Sequence, residues 1–253
     1  MVLIIWLLQA AYGIVTGLQG WFVRLDKTFI AKGYWRLIPE GLKNTMLISL
    51  GALAIGVFIG TLIAIIKYFA EITRSTNFGG KLLRFGGRVC DLYTTVIRGV
   101  PVMVLLMVLV YAIFTGTREP LLVCILGFGI NSGAYVAEII RSGVASVDRG
   151  QMEAGRSLGL SNLKTMRKII LPQAIRTILP AIGNEMIALI KETSVAGYVG
   201  VFDLTSRGNQ IRNLTYDAIN PLIAVALIYL IIVVVLTKLL RLLERRLNRD
   251  KRA

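Results

Sequence analysis

Three ionisable residues interrupt a run otherwise suited to a bilayer: Glu185, Lys191 and Glu192 within Gly183-Asn-Glu-Met-Ile-Ala-Leu-Ile-Lys-Glu-Thr-Ser194. A charge in a membrane helix costs roughly 3 kcal/mol or more unless it pairs or faces water, so such residues are functional candidates by default. On a helix Glu185 and Glu192 share one face, and Asn184 and Lys191 share another. The bland reading is that these charges pair across a dimer or with headgroups and hold the bundle together. Glu138 is weaker, because Arg141 three residues on can neutralise it locally.

Other chemistries are closed by the inventory. The chain has no His and two Cys, Cys90 and Cys124, whose separation fits neither a metal site nor a redox pair. Zinc-protease and Ser-His-Asp chemistry are excluded, and the thiols read as inert filling. Gly80-Lys81 lacks the earlier Gly of a phosphate loop and is followed by Leu82 instead of Ser or Thr. If ATP drives this protein, another chain binds it. An intramembrane enzyme would be limited to Asp, Ser or Lys chemistry that no motif supports.

The second informative stretch is polar and lies between membrane-length apolar runs: Val144 to Pro172, V-A-S-V-D-R-G-Q-M-E-A-G-R-S-L-G-L-S-N-L-K-T-M-R-K-I-I-L-P. Asp148 can cap a first short helix, with Gln151 placed to return the bond, and Gly159 supplies a left-handed stop. Ser161 can cap a second helix with an apolar stripe at Leu163, Met166, Ile169 and Ile170, which Pro172 is expected to end before the next span. Glu153, Ala154, Gly155, Gly159, Leu171 and Pro172 stand in the register of an E-A-A/G-x-x-x-G core followed by an apolar residue and Pro. In this the stretch resembles the EAA loop of the membrane subunits of bacterial ATP-binding-cassette importers. The flanks Ile139 to Gly143 and Asn184 to Ser194 are similar to the polar amino-acid branch of that family, and the resemblance runs from about Gly41 to Leu243. Gly155 replaces the second Ala, as is common in that branch.

The resemblance implies a transmembrane permease subunit of an ATP-driven amino-acid import system in a bacterial cell membrane. It implies docking of the loop into a groove of a cytoplasmic nucleotide-binding ATPase through Glu153 and Gly159, with Ala154 and Gly155 allowing close contact. It further implies an extracytoplasmic substrate-binding protein and a second permease copy, either identical or a similar subunit, because one loop is present where a transporter needs two. No cofactor is expected in this chain, with ATP and magnesium held by the partner ATPase. A zwitterionic amino acid crossing the bilayer needs partners for both its charges. Glu185 is the candidate for the ammonium end, with Glu192 on the same cavity-lining face. Lys191 and Asn184 would serve the carboxylate or the partner helix, and Thr193 and Ser194 would add neutral hydrogen bonds. The alternative is a stand-alone channel or secondary carrier, which explains spans and buried charges but not the loop.

These residues must be positioned by a membrane fold. With 55% hydrophobic and 17% charged residues among 253, and a mean hydropathy of +0.70, the chain is too apolar for an ordinary soluble domain. The net charge of +15 is distributed between apolar runs and at the C-terminus, which suits lipid headgroups and not nucleic acid. A span needs about 20 apolar residues. Five are expected, over about Thr45 to Phe69, Gly99 to Thr115, Pro120 to Ile140, Ala174 to Tyr198 and Ala218 to Leu240. The fold class is therefore an all-α integral membrane bundle of five core transmembrane helices with a cytoplasmic two-helix coupling loop.

Lys and Arg concentrate after the first and third spans and in the tail, which places these and the C-terminus in the cytoplasm. The connections Gly116 to Glu119 and Gly200 to Asn220 belong outside. The division expected is an N-terminal apolar segment over 1-40, a permease domain over 41-243 and a basic tail over 244-253. Within the first part, Met1 to Val23 reads equally as a sixth span or as a helix in the interface with Trp6 and Trp21 at headgroup level. Gly56-x-x-x-Gly60 and Gly129-x-x-x-Gly133 can let helices approach closely, against the plain reading of ordinary membrane glycine usage.

Overall fold

The computed structural model describes Gly20, Val23, residues 26–73 and residues 77–247, and within these it contains helices and no strand. The two readings of Met1 to Val23 fall outside the described residues, Gly20 and Val23 apart. Helix α1 runs over Leu37–Ile72, α2 over Phe78–Gly99 and α3 over Val102–Val108, continued by a π turn at Leu109–Ile113. Next come α4 over Pro120–Ala145, α5 over Arg149–Ser157 and α6 over Asn162–Thr165, followed by a π turn at Met166–Ile170. Helix α7 spans Leu171–Glu192 and ends in a 3-10 turn at Thr193–Val199. Helices α8, Leu204–Thr215, and α9, Asn220–Leu247, complete the chain.

Tyr34–Ile72, Pro120–Ala145 and Asn220–Leu247 are each long and apolar enough to cross a bilayer, and α2 with α3 qualifies as one bent pair. Helix α7 has 22 residues, but Arg176, Asn184, Glu185, Lys191 and Glu192 dilute its apolar character. It therefore depends on its neighbours to lie in the membrane. Helix α4 forms the axis of the bundle, 61% of its most apolar stretch being buried, against 6% for α9.

The principal helix pair is α1 on α4, and glycine explains its closeness. A Cβ on Gly56 would lie 2.7 Å from Ser132 Oγ, and one on Gly129 would lie 2.7 Å from Ile55 Cβ. The two glycine motifs thus face each other, and van der Waals contact along this seam supplies the attraction that the hydrophobic effect cannot supply between helices in lipid. Ile48, Ala52, Leu106, Cys124, Phe128 and Leu189 fill the core around it. Both cysteines are free and buried.

Three expectations change. The second span is confined to Val102–Ile113, because Val100 before Pro101 is held extended (φ −101°, ψ 131°) and stops α2 there. The stretch before it, expected as a connection, is the 22-residue α2, and the chain turns by 106° between α2 and the second span. The connection Gly200 to Asn220, expected outside, contains the capped helix α8. Asp203, fully buried, accepts from the backbone N–H of Thr205 (2.9 Å) and Ser206 (3.0 Å).

Candidate functional site

The loop from Val144 to Pro172 is a helical hairpin whose polar groups are satisfied nearly on the spot. Asp148 Oδ1 accepts from Gly150 N–H at 2.7 Å, and Ser161 Oγ accepts from Lys164 N–H at 3.3 Å. Gly159 takes φ +79°, so Leu160 N–H reaches Gly155 C=O at 3.1 Å and Gly159 N–H reaches Arg156 C=O at 2.9 Å. That is a Schellman stop, which requires the left-handed residue. Arg156 Nη1 donates to Asn162 Oδ1 at 2.6 Å and clips α5 to α6. Gln151 turns to Gln173, whose Nε2 approaches its Oε1 at 3.5 Å, instead of returning to the cap.

Gly155 is buried, and its missing side chain serves the hairpin itself. A Cβ there would stand 2.5 Å from Thr165 Cγ2, and Thr165 is fully enclosed. Glu153, Ala154 and Gly159 are exposed, and Leu158 is 80% exposed at the tip. Of the expected apolar stripe only Ile170 is buried, Met166 and Ile169 being half-buried and Leu163 55% exposed. Leu158 and Leu163 were not singled out for contact with a partner. An apolar residue flanking a left-handed glycine in a polar loop is the signal that could have found the first.

Pro172 does not end a helix. Backbone angles stay in the α region through Thr165, Met166, Ile170 and Leu171, so the chain is helical without interruption from Asn162 to Glu192. A proline lacks the N–H for the carbonyl four residues back and would crowd it. Here Pro172 stands in the first turn of α7, directly after the π turn Met166–Ile170, and Gln173 Nε2 donates to Ile169 C=O at 2.8 Å. Leu171 and Pro172 are both exposed in the first turn of α7.

Along α7 the carboxylates and their neighbours separate as the helical period requires. Glu185 and Glu192 are half-buried, while Asn184 and Lys191 are exposed. Glu185 has a partner that reading the sequence did not provide, since Ser132 on α4, itself fully buried, donates to Glu185 Oε1 at 2.8 Å. Thr193 is fully buried and donates back to Ile190 C=O at 2.8 Å, so its hydroxyl is spent within its own turn and is not offered to a solute. Ser194 opens instead onto a cleft of about 570 Å³ lined by Tyr198, Thr205, Ser206, Asn209, Gln210 and Asn213. The structure thus does not gather all six candidates of the span into one site. Glu138 is bridged to Arg141 in the last turns of α4.

The end of the bundle away from the hairpin is closed by long-range polar contacts. Arg207 of α8 is buried, bonds Glu40 and Gln210, and lays its guanidinium 4.3 Å from the centre of the Phe202 ring. Thr45 Oγ1 accepts from Leu204 N–H at 3.1 Å, and Asn44 Nδ2 donates to Phe202 C=O at 2.8 Å. Thr28 Oγ1 donates to Asp217 Oδ2 at 2.8 Å, bringing the segment before α1 to the same end. Gly208 abuts Val225 and Gly183 abuts Leu240, so α9 descends from this end past the middle of α7. Arg241, Arg245 and Arg246 therefore lie on the hairpin's side.

Residues 78–249 match the family described as binding-protein-dependent transport system inner membrane component. The glutamine transport system permease protein GlnP of Escherichia coli (strain K12) is 41% identical over 221 residues, covering 85% of this chain and 95% of that protein. The arginine transport system permease protein ArtQ of Bacillus subtilis (strain 168) is 34% identical, covering 83% and 92%. A solved structure described as an amino acid ABC transporter with histidines superposes with a TM-score of 0.76 at 38% identity, covering 84% of this chain and 95% of that one.

Proposed function

Because the chain belongs to the family of binding-protein-dependent transport system inner membrane components, we propose that it is the permease subunit of an ATP-driven importer of a polar amino acid. The relatives named for glutamine and arginine support the substrate class. A cytoplasmic ATPase binds ATP and magnesium, a binding protein delivers the amino acid from outside, and a second permease copy completes the pathway. The hairpin presents Glu153, Ala154, Leu158 and Gly159 to the ATPase, with Gly155 holding its two helices together. The C-terminus lies on the same, cytoplasmic side.

The observation that carries this reading is the helical path from Asn162 to Glu192, about 45 Å long at 1.5 Å per residue, which continues through the π turn Met166–Ile170 and past Pro180. A push on the hairpin is delivered along one rod past Leu171 and Pro172 to the level of Glu185 and Ser132, which tie α7 to the central α4. Small displacements at a docking surface become helix-bundle rocking when a stiff element connects the two. Glu185 and Glu192 then face the passing ammonium group, and Asn184, Lys191 and Ser194 serve the carboxylate and its approach.

The test is co-reconstitution with the ATPase and the binding protein. Glu153→Lys and Gly159→Trp should leave an inserted protein whose ATP-driven uptake falls about thirtyfold, the loss of one interface hot spot. Wild-type uptake by both variants overturns the assignment. A Tyr216→Cys variant, at a site 95% exposed, should react with an impermeant thiol reagent from outside and Leu158→Cys only from the cytoplasmic side.

A further inference from the structure

Helix α2 carries a surface that the transport reading does not use. Phe78, Leu82, Phe85, Val89, Leu92 and Val96 recur every three or four residues and are 82%, 59%, 64%, 49%, 65% and 49% exposed, forming one uncovered apolar stripe. The opposite face is packed. Gly87 lets Ala70 approach, Cys90 and Tyr93 sit against Ile63 and Ala137, and Tyr93 donates to Ile130 C=O. Lys81, Arg84 and Arg88, spaced by three and four, form a basic rail beside the stripe.

Geometry decides where this helix lies. The span after the elbow, Val102–Ile113, is about 18 Å long, shorter than the roughly 30 Å of hydrocarbon. With that short span along the bilayer normal and its far end at the interface, the elbow at Gly99 to Pro101 falls inside a leaflet, and the bend of 106° between the two helices directs α2 along that leaflet. Charge decides what covers the stripe. Helix α2 holds Lys81, Arg84, Arg88 and Arg98 against Asp91 alone, and Asp91 is bound by Lys67 at 2.6 Å. Two copies laid stripe to stripe would bring like charges together, whereas anionic headgroups complement them.

We propose that α2 is a membrane-surface helix, bedded in the cytoplasmic leaflet by its apolar stripe, that gathers anionic phospholipid headgroups along Lys81 and Arg88. The choice of leaflet rests on the orientation proposed above; the lipid seat does not.

The experiment uses the assembled complex in nanodiscs and the emission that Phe85→Trp adds over wild type. Phosphatidylglycerol and phosphatidylcholine with brominated chains are compared at equal mole fraction. Both should quench the added emission, and the phosphatidylglycerol should quench more strongly. With Lys81→Gln and Arg88→Gln its local enrichment should fall about fivefold for each charge removed. Equal quenching by the two lipids overturns the headgroup seat. Absence of quenching, with copies of Phe85→Cys joining by disulfide, overturns the membrane bed and gives the stripe to a second copy. Lipid results as expected, with Leu158→Cys labelled from outside, overturn the leaflet assignment alone.

Discussion

The two ends of the molecule hold themselves together by opposite means. In the hairpin, side-chain hydrogen bonds mostly join residues two to six apart, as in Asp148 to Gly150, Ser161 to Lys164 and Arg156 to Asn162, with Gln151 to Gln173 the longer exception. At the opposite end, beside local bonds such as Arg207 to Gln210 and Asp217 to Asn220, others join residues 158, 159, 167 and 189 apart, as Asn44 reaches Phe202, Thr45 reaches Leu204, Arg207 reaches Glu40 and Thr28 reaches Asp217. A unit satisfied locally can move as a body without breaking its own bonds. An end tied across the whole chain resists displacement. The difference fits a lever pushed from the hairpin and a clamp that fixes the far end of the bundle.

The strongest way to break this contrast is to open the hairpin. Gly155→Val places a branched side chain where Thr165 already stands and should cost about 1–3 kcal/mol of local packing. Because the cost stays within the hairpin, ATP-driven uptake should collapse while thermal unfolding of the bundle, followed in detergent, is unchanged. Adding Thr165→Ser to Gly155→Ala removes the closer clash, with the methyl at 2.5 Å, and leaves the hydroxyl at 2.9 Å, so it should restore part of the coupling lost by Gly155→Ala alone. A Gly155→Val protein that unfolds at a lower temperature shows that the hairpin is not self-contained.

The junction between lever and clamp is Glu185 with Ser132. Glu185→Gln keeps the acceptor for Ser132 and removes the charge, so uptake should fall about tenfold if an ammonium group loses its partner, worth about 1.4 kcal/mol. Ser132→Ala keeps the charge and removes one hydrogen bond, so its effect should be smaller, about 1 kcal/mol. If Ser132→Ala is the more damaging for uptake, the pair holds α7 to α4 and does not meet the substrate.

How much of this could be read beforehand follows the same division. The two hairpin helices, their caps at Asp148 and Ser161 and the stop at Gly159 are determined by neighbours within a few residues, and the sequence shows them. Pro172 misled, because a proline in the first turn of a helix does not stop it, and α7 also runs on through Pro180. The carboxylate of Glu185 was visible as an anomaly in an apolar run, but its partner Ser132 is 53 residues away and looks like any small residue of α4. Helix α8 was hidden more completely. Its buried Arg207 reads as an exposed loop charge until Glu40, 167 residues earlier, is placed beside it.

The clamp is sharpened by Glu40→Gln. Arg207 is enclosed and its Nε already lacks a hydrogen-bond partner, while Glu40 is about half exposed, so glutamine removes the opposing charge but keeps an acceptor beside Gln210 and the Phe202 ring. The loss should be at most about 1 kcal/mol, read as a lower unfolding temperature, with the ratio of uptake to ATP hydrolysis unchanged in the molecules that remain folded. A changed coupling ratio at unchanged stability makes the outer end part of the moving machinery.

The smallest effect is expected at Asp217, which joins the segment before α1 to the start of α9. Burial works to raise its carboxyl pKa, but hydrogen bonds from Thr28, from the side chain and backbone of Asn220 and from the backbone of Ile219 outweigh it and hold the group below its ordinary range. A carboxyl depressed on folding contributes stability that is complete above its unfolded pKa, about 4. That contribution is lost as pH falls from there through the folded value. Wild type should therefore lose a fraction of a kcal/mol over that acid window that Asp217→Asn does not lose, seen as unfolding temperatures that converge as the pH is lowered. Asparagine keeps an acceptor for Thr28 while removing the titration, so the comparison isolates the charge. Curves that stay parallel through the window would mean that Thr28 and Asn220 hold this corner by shape, and that the outer clamp owes nothing to the ionisation of Asp217.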